Sequence, residues 1–452
     1  MRVRVAVIGS GHVGLVAGGC LAAIGHHVVC ADRDATLIAE LQAGRLPIYE
    51  PHLGGALCKA REEGRLAFTE NSLQAATSAD IILLCVGVPQ LETGHVDFSA
   101  LDEAARQIAP AIDSHKLVVL RTTVPVQTGE QLRHLLAVYG HKPEEHIHVA
   151  ANPQFLREGT AMDDFLHPDR ILVGVAESAS AQRLREVYAP ILESKFFCPV
   201  HAGSCPPRPR PELLVTNIQS AELIKYVTNS FLALKISYAN VLADLCEQLG
   251  ANIQEVCRAM GLDARIGPKF LDAGLGFGGP RLPKDLQAFL KFVVSTGVES
   301  GILLGTDRVN RTRVDSFFRK IEKCVWVLKE KRIALLGLAY TPNTDDIRGS
   351  PSIELWRRLT AAGVLVCAYD PRAMANACEE NPTLTCVADA YQAADRADAL
   401  IIATECEEFV KLDWKRIHGL MARPTVLDGR NLLSPSAMLA LGFEYHSVGR
   451  PG

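Results

Sequence analysis

Apolar and polar positions along the first part of the chain follow a pattern that predicts a sheet covered by helices. Short apolar segments are each followed by glycine or polar residues and then by a stretch with helical periodicity. Strand, helix and strand in this order are typical of a doubly wound α/β domain. The predicted strands are residues 2–8, 27–31, 81–86, 117–120, 148–151 and 171–175.

The pattern changes after residue 200. Residues 201–212 contain the run Pro-Pro-Arg-Pro-Arg-Pro, which predicts a linker. Long helical periodicity over 214–249 and a second stretch over 253–260 follow, and more helices are expected between 285 and 329. This section is therefore predicted to be all-helical.

From residue 331 the strand-and-helix pattern returns. A helix is predicted over 353–362, and strands are predicted over 332–338, 364–369, 399–404 and 425–427. The predicted fold class is α/β, with two Rossmann-like doubly wound domains joined by a central all-helical domain. The expected boundaries are 1–205, 206–320 and 321–452.

Composition and charge exclude several classes of protein. The 452 residues carry a formal net charge of −4 and no basic runs, which argues against a nucleic-acid partner. No segment has the ~20 apolar residues that cross a bilayer, and glycines interrupt the apolar amino terminus, so we expect a cytoplasmic protein without a membrane partner. The 13 cysteines have no Cys-x-x-Cys spacing, which predicts buried thiols in a reducing compartment and no metal site.

A glycine motif follows the first predicted strand. Gly9, Gly11 and Gly14 form GxGxxG before a helical run, and Asp32 ends the next strand. Glycines at this spacing let a pyrophosphate approach a helix amino terminus, and the acid binds a ribose diol. We therefore predict an NAD site, since a carboxylate disfavours the 2′-phosphate of NADP. The alternative is a coincidental glycine-rich turn.

Polar residues directly after the other strands are also candidates for a site. Thr123, Asn152, Gln154 and Glu158 occupy such positions, and ligands of doubly wound sheets bind at the carboxyl ends of strands. The alternative for each is a helix cap, which is the commoner role of Thr and Asn at such positions.

Two features of the helical section carry candidate chemistry. Residues 274–285 contain four glycines, two prolines and a Lys-Asp pair, which suits a loop around an anionic ligand or a plain surface turn. Lys225 and Asn229 are four residues apart and share one helix face. Periodicity alone favours a solvated Lys225.

Taken together, these motifs resemble the UDP-glucose/GDP-mannose dehydrogenase family over essentially the whole chain. The matching stretches are 9–14 with Asp32, 47–51, 122–125, 152–159, 221–225 with Asn229, 265–285, 346–348 with 350–351, and 428–430. The resemblance implies an NAD domain, a central helical domain that forms a homodimer, and a carboxyl-terminal domain that binds the nucleotide of a UDP-sugar. It also implies oxidation of a C6 alcohol to a carboxylate in two NAD-dependent steps, the second through a cysteine thioester.

The resemblance assigns roles to individual residues. Lys225 and Asn229 match the pair that stabilises the C6 oxygen, and Asp285 matches the aspartate that assists proton transfer. Further matches are Thr123 near the catalytic water, Glu158 in the hydrolysis motif, Arg348 on the cofactor side, Arg430 on the nucleotide side, Arg265 across the dimer interface, and Phe270 and Gly278 at the substrate.

The chain departs from the family pattern at the residues of the second oxidation. Arg281 stands where the family has its nucleophilic cysteine, Gln154 replaces a glutamate, and Thr341 replaces a lysine after Tyr340. We therefore expect oxidation of a UDP-hexose at C6 without covalent catalysis, giving an aldehyde, a slowly formed acid or an epimer. Arg281 either binds an anionic group of the substrate or faces solvent. The alternatives are a non-catalytic binding protein and an ordinary UDP-glucose 6-dehydrogenase.

Overall fold

The computed structural model describes residues 2–89 and 96–451. The chain divides into two compact units, Met1–Thr228 and Asn229–Gly452, which we call the first and the second unit. No helix among the described residues is long and apolar enough to cross a membrane.

The first unit is built on an eight-stranded sheet. Its strands are β1 (Arg4–Ile8), β2 (His27–Ala31), β3 (Leu66–Thr69), β4 (Ile81–Leu84), β5 (Leu117–Leu120), β6 (His148–Ala151), β7 (Arg170–Val175) and β8 (Glu212–Thr216). Their spatial order is β3-β2-β1-β4-β5-β6-β7-β8, and all neighbours are parallel except β6 and β7. The first six positions have the Rossmann order, which confirms the predicted class.

Helices cover both faces of this sheet. The helices of the first unit are α1 (His12–Ala23), α2 (Ala35–Gln42), α3 (Leu53–Glu62), α4 (Ser72–Ser78), α5 (Ser99–Ile108), α6 (Thr128–Gly140), α7 (Ala161–Leu166) and α8 (Ser178–Leu192), with short 3₁₀ turns at Ala109–Ala111 and Glu144–His146. A long helix, α9 (Ile218–Leu249), begins in this unit. Strands β4 and β5 are buried at every position, as expected where helices pack on both faces of a parallel sheet.

The second unit begins with helices and ends with a second sheet. After α9 come α10 (Ile253–Gly261), α11 (Leu282–Ser295), α12 (Gly301–Arg311) and α13 (Arg313–Val325). The sheet has the strands β9 (Arg332–Leu336), β10 (Leu365–Tyr369), β11 (Thr385–Cys386), β12 (Ala399–Ile402), β13 (Thr425–Asp428) and β14 (Glu444–Ser447). Its helices are α14 (Pro351–Ala361), α15 (Met374–Glu380), α16 (Ala390–Ala394), α17 (Glu407–Val410), α18 (Trp414–Leu420) and α19 (Pro435–Ala440). The order β11-β10-β9-β12-β13-β14 is again the Rossmann order, here fully parallel.

One boundary differs from the sequence prediction. The helix expected from residue 214 begins only at Ile218, and Leu214 lies in β8, which pairs with β7. The residues before Ile218 are drawn into the sheet because β7 offers an unpaired edge and residues 212–216 have the β-branched and leucine content of a strand. Helix α9 then packs closely on β7, where a Cβ on Gly174 would lie 2.5 Å from Ala221 Cβ.

Candidate active site

The glycine motif shapes the turn between β1 and α1. Gly9 has a φ of +98°, and a Cβ on it would lie 2.9 Å from the backbone of Cys85. A Cβ on Gly14 would lie 1.8 Å from the Gly9 carbonyl oxygen. On Gly11, in contrast, an added Cβ would meet no heavy atom within 4 Å. Two glycines therefore allow the turn itself, while the third leaves open space at the amino end of α1, where a pyrophosphate binds in such motifs.

Asp32 lies at the end of β2, beside this turn. Its Oδ2 accepts a hydrogen bond of 2.6 Å from the Ser10 amide, and its Oδ1 accepts one of 3.1 Å from the Asp34 amide. The half-buried carboxylate lines a cavity of about 270 Å³ together with Gly9 and Gly11. Each oxygen keeps a lone pair for a ribose hydroxyl. The residues present thus fit the adenosine and pyrophosphate of NAD.

Thr123 is half-buried in the turn after β5, and a buried glutamate holds that turn. Glu222 of α9 is only 2% exposed, and its two oxygens accept 2.7 Å hydrogen bonds from the amides of Gln127 and Gly129. Burial raises the pKa of Glu222 to about 7, although the two backbone bonds act in the opposite direction. Glu222 lies in the family motif at 221–225, but the motif assigns it no role. The structure identifies it as the residue that ties α9 to the amino end of α6.

Asn152 serves the fold. Its Oδ1 accepts hydrogen bonds of 2.5 Å from Arg121 Nη1 and from the Tyr188 hydroxyl, and its Nδ2 donates to the Leu172 carbonyl at 2.7 Å. Gln154 is also buried, and its Oε1 accepts a 2.7 Å bond from the Leu156 amide. Both amides therefore stabilise the connection after β6.

Glu158 is buried at the end of the same connection, and another glutamate supports the backbone beside it. The carboxylate of Glu50 accepts hydrogen bonds from the amides of Gly159 and Ala161 at 2.9 and 2.8 Å. His12 Nε2 lies 2.9 Å from the same carboxylate. Glu50 thus links the start of α1 to the start of α7, a role that the sequence motif did not reveal.

Lys225 is buried, contrary to the solvated lysine that periodicity alone favoured. Its exposed fraction is 3%, and its Nζ lies 5.0 Å from the centroid of the Phe155 ring. The position is covered because the connection after β6 folds over this face of α9, which helical periodicity cannot show. Lysines are rarely buried to this degree, and an ammonium group over an aromatic face gains a cation–π contribution.

In the second unit the structure brings Asn229 and Asp285 together. Asn229 Nδ2 donates a 2.6 Å hydrogen bond to Asp285 Oδ2, and both side chains are buried. Asp285 lies in the first turn of α11, and its amide donates to the carbonyl of Arg281, the half-buried N-cap residue. Burial lowers the pKa of the adjacent Lys284, while Asp285 raises it. The contact places an amide and a carboxylate as one hydrogen-bonded pair.

The glycines of the loop before α11 pack against the chain itself. A Cβ on Gly278 would lie 2.4 Å from the Gly349 carbonyl oxygen, and one on Gly279, whose φ is +81°, would lie 2.5 Å from the Tyr340 ring. These glycines therefore permit close packing inside the second unit. This packing explains the two glycines without an anionic ligand, which was the other role predicted for the loop.

Two arginines hold this loop. Arg430 Nε donates to the Ala403 carbonyl at 2.8 Å, and its Nη1 donates to the Gly276 carbonyl at 3.2 Å. Its Nη2 is buried and has no hydrogen-bond partner among the described residues, which leaves one donor for a ligand. Arg313, to which no sequence motif points, is buried, and its Nε donates to the Gly274 carbonyl at 3.4 Å. Its Nη1 lies 2.7 Å from both carboxylate oxygens of Asp244.

The remaining candidates lie on loops of the second unit. Phe270 has a φ of +63°, a left-handed backbone that is uncommon for a bulky residue. Arg265 is exposed and its Nε donates to Asp263 Oδ1 at 3.0 Å. Arg348 is also exposed, and its Nε donates to Asp346 Oδ1 at 3.0 Å. The two arginines thus share a motif in which a guanidinium binds the carboxylate two residues earlier.

Three family models match consecutive parts of the chain. The UDP-glucose/GDP-mannose dehydrogenase family has an NAD-binding domain model that matches residues 3–192. Its central-domain model matches residues 219–312, and its UDP-binding-domain model matches residues 334–435.

Individual proteins are similar over the same length. UDP-glucose 6-dehydrogenase of Rhizobium meliloti is 40% identical over 450 residues, which cover 99% of this chain and 100% of the relative. The enzyme of the same name from Pseudomonas aeruginosa is 37% identical, with coverage of 99% and 98%. The solved structure of a UDP-glucose dehydrogenase from Pyrobaculum islandicum has a TM-score of 0.87 at 35% identity and covers 99% of this chain and 97% of its own.

Proposed function

Because the chain belongs to the UDP-glucose/GDP-mannose dehydrogenase family of NAD-dependent nucleotide-sugar dehydrogenases, we propose that it oxidises UDP-glucose at C6. The names of its relatives support this substrate. The same names favour the ordinary UDP-glucose 6-dehydrogenase, the last alternative from the sequence, from which Arg281 and Gln154 depart. The observation that carries the proposal is the buried 2.6 Å contact of Asn229 with Asp285 beside the family's loop motif.

The buried polar residues would orient and polarise the C6 hydroxyl. Lys225 and Asn229 lie four residues apart in α9, so helix geometry gives them one face. We assign both as donors to the C6 oxygen, where negative charge develops. Asp285 fixes the amide of Asn229 through its Oδ2, and we assign its carboxylate to proton transfer through a water. NAD, when bound, would supply the acceptor for the hydride from C6.

The family forms its thioester on a cysteine at the position of Arg281. This protein lacks that route, because a guanidinium is no nucleophile. A displaced cysteine is poorly supported as well. Cys257 is the closest cysteine in sequence to the loop, and burial raises its pKa to about 11, which keeps it a thiol at neutral pH. Cys257 and Cys246 also pack in the hydrophobic core of the second unit. We therefore propose that C6 is oxidised without a covalent enzyme intermediate.

The proposed substrate is tested by NADH formation with UDP-glucose, other UDP-hexoses and GDP-mannose. We expect UDP-glucose to give the highest kcat/KM. Lys225→Ala should lower kcat by roughly 100-fold, because it removes a donor to the developing charge. Lys323→Ala, which changes an exposed lysine of α13, is the matched control. No turnover of any nucleotide sugar, with binding intact in calorimetry, would instead favour a non-catalytic binding protein.

The product distinguishes covalent from non-covalent chemistry. About one NADH per UDP-glucose, with an aldehyde or its hydrate in the mass spectrum, is expected if Arg281 ends the reaction after one oxidation. Two NADH per sugar at a single fast rate, with a uronic acid product, would establish the ordinary dehydrogenase. The double change Arg281→Cys and Gln154→Glu should shift the product towards the acid.

We also propose a homodimer formed through the central helices. Helix α9 exposes a stripe of large apolar side chains, of which Phe231 is 60% and Leu249 70% exposed. An apolar stripe of this size indicates a protein interface, and Arg265 would then contact the second copy. Sedimentation should give a dimer that Phe231→Glu weakens, and a monomeric wild type would contradict the proposal.

We also propose that the chain has three domains, with boundaries at 205 and 320, and that the protein is cytoplasmic.

A further inference from the structure

Four side chains that commonly bind metal ions meet in the first unit, apart from the residues proposed for catalysis. They are His167, Cys198, His201 and Cys205, and their ligand atoms all lie within 4.8 Å of one another. His167 directly follows α7, and the other three lie in the segment after α8. Their spacing is Cys-x-x-His-x-x-x-Cys, a short spacing of the kind found in zinc sites.

The distances between the ligand atoms fit one tetrahedral ion. With Zn–S of ~2.3 Å and Zn–N of ~2.1 Å, sulfur and nitrogen ligands of a tetrahedron are roughly 3.6 Å apart. His167 Nε2 lies 3.2 Å from Cys198 Sγ and 3.5 Å from Cys205 Sγ. Cys198 Sγ lies 3.6 Å from His201 Nδ1. These three of the four sulfur–nitrogen pairs are thus within about 0.4 Å of the tetrahedral edge.

We propose that His167, Cys198, His201 and Cys205 bind one structural Zn²⁺ ion. Two thiolates and two imidazoles in tetrahedral arrangement select zinc among the common cellular divalent ions. Four protein ligands fill its coordination sphere, so the ion has no open position for a substrate. The site is therefore structural, and it is independent of the proposed dehydrogenase function.

The surroundings of the cluster support the histidine assignment. His201 would bind the ion through Nδ1, and its other nitrogen, Nε2, lies 3.8 Å from Asp163 Oδ1. That oxygen is buried and has no hydrogen-bond partner among the described residues, whereas Asp163 Oδ2 accepts a 3.0 Å bond from Arg208. A carboxylate behind the distal nitrogen is the usual support of a histidine that binds zinc. Cys198 is itself fully buried.

The ion would fasten the segment after α8 to the carboxyl end of α7. The amino end of α7 is already held by Glu50, which accepts from the amides of Gly159 and Ala161. Glu158 lies three residues before the first residue of this helix. The zinc site would therefore act on the catalytic region only through the position of α7, and its loss should lower stability more than it changes the chemistry.

The absence of Cys-x-x-Cys spacing from the sequence predicts no metal site, in contrast to the cluster in the structure. The Cys-x-x-His pair at 198 and 201 was the available signal, and the fourth ligand, His167, is distant in sequence. Only the fold shows that the end of α7 lies beside that pair.

The first test is the metal content of untagged protein purified from zinc-supplemented reducing cells. Wild type should contain about one zinc per chain. The variants Cys198→Ser and Cys205→Ser should contain at least fivefold less, and Cys58→Ser, which changes an exposed cysteine of the same unit, should match wild type. Equal zinc in wild type and both ligand variants would overturn the proposal. So would a Cys198–Cys205 disulfide in the freshly purified protein.

The second test needs no variant and therefore does not depend on mutant folding. Wild type stripped of metal should bind one equivalent of Co²⁺ with the strong visible absorption and the thiolate charge-transfer band of a tetrahedral site. Zinc should displace the cobalt and raise the Tm. Wild type that carries no zinc and gives no such cobalt spectrum would overturn the proposal.

Discussion

The first six strands of the eight-stranded sheet and the six strands of the second sheet have the same order. Each sheet places an aspartate after its second strand in sequence, yet the two carboxylates have different surroundings. Asp32 follows β2, is half-buried, accepts hydrogen bonds from two backbone amides and lines a cavity. Asp370 follows β10, is 1% exposed and accepts from four amides, those of Leu338, Ala339, Arg372 and Ala373, at 2.7 to 3.1 Å. The first acid can still bind a ligand, whereas the second is saturated by its own chain.

The turns beside the two acids also differ, since only the first leaves open space for a ligand. Gly9 and Gly337 begin them with nearly equal φ values of +98° and +95°. Helix α1 starts three residues after Gly9, and open space remains at Gly11. Helix α14 starts only at Pro351, and Ser350 caps it while its hydroxyl donates to the Leu338 carbonyl at 2.7 Å. The strand order alone therefore does not make a dinucleotide site. The carboxylate and the turn beside it must also keep hydrogen-bonding capacity and space for the cofactor.

The largest effect expected from this comparison is on stability. Asp370→Asn should lower the free energy of unfolding by about 4 kcal/mol, because a neutral amide leaves buried N–H donors without an acceptor. Urea unfolding measures the loss. The matched change Asp32→Asn should cost less than about 1 kcal/mol, since water reaches its partners. Equal losses for the two variants would contradict the comparison.

A series of unfolding measurements at different pH values extends the comparison to Glu222, an acid of the first unit that is buried like Asp370. The pKa of Glu222 is raised from 4.5 to about 7, so its contribution to stability is present below pH 4.5 and is lost as the pH rises through about 7. The total change should be at most about 3 kcal/mol. Glu222→Gln should remove this slope, and Glu145→Gln, at an exposed position, should keep it. A slope that persists in Glu222→Gln would assign it to other groups.

The smallest effect concerns cofactor choice. Asp32→Asn should raise the Kd for NAD about tenfold, or ~1.4 kcal/mol, because charged hydrogen bonds to the ribose diol are lost. The Kd for NADP should stay unchanged or fall, since the carboxylate no longer repels a 2′-phosphate. Fluorescence titration with both cofactors measures the ratio. Parallel weakening of NAD and NADP would mean that Asp32 does not contact the ribose.

The interior of both sheets could be predicted from the sequence, whereas the edges could not. Every interior strand was found because burial on both faces leaves a continuous apolar segment. The four strands that were missed, β3, β8, β11 and β14, are the edge strands of the two sheets. They have mixed exposure, and β11 has only two residues. Three of them, β3, β11 and β14, have at most four residues, so their pattern is not distinct from that of a loop, whereas Leu214 to Thr216 of β8 fall within the helix predicted from residue 214.

The sequence predicts which residues form the site better than it predicts their burial and their partners. The family motif pointed to Asn229 and Asp285, and the structure joins them at 2.6 Å. The burial of Lys225 was not predictable from helical periodicity, because a distant segment covers it. The same applies to the supporting glutamates Glu50 and Glu222, whose partners lie about 90 to 110 residues away in sequence.

Calorimetric titration of the wild type and of the two aspartate variants with NAD tests the central claim most directly. If only the first unit forms the dinucleotide site, NAD binds with a stoichiometry of about one per chain. Folded Asp370→Asn should then bind NAD with the wild-type Kd, while Asp32→Asn should bind about tenfold more weakly. Two NAD molecules per chain, or weaker binding in folded Asp370→Asn and not in Asp32→Asn, would contradict the account.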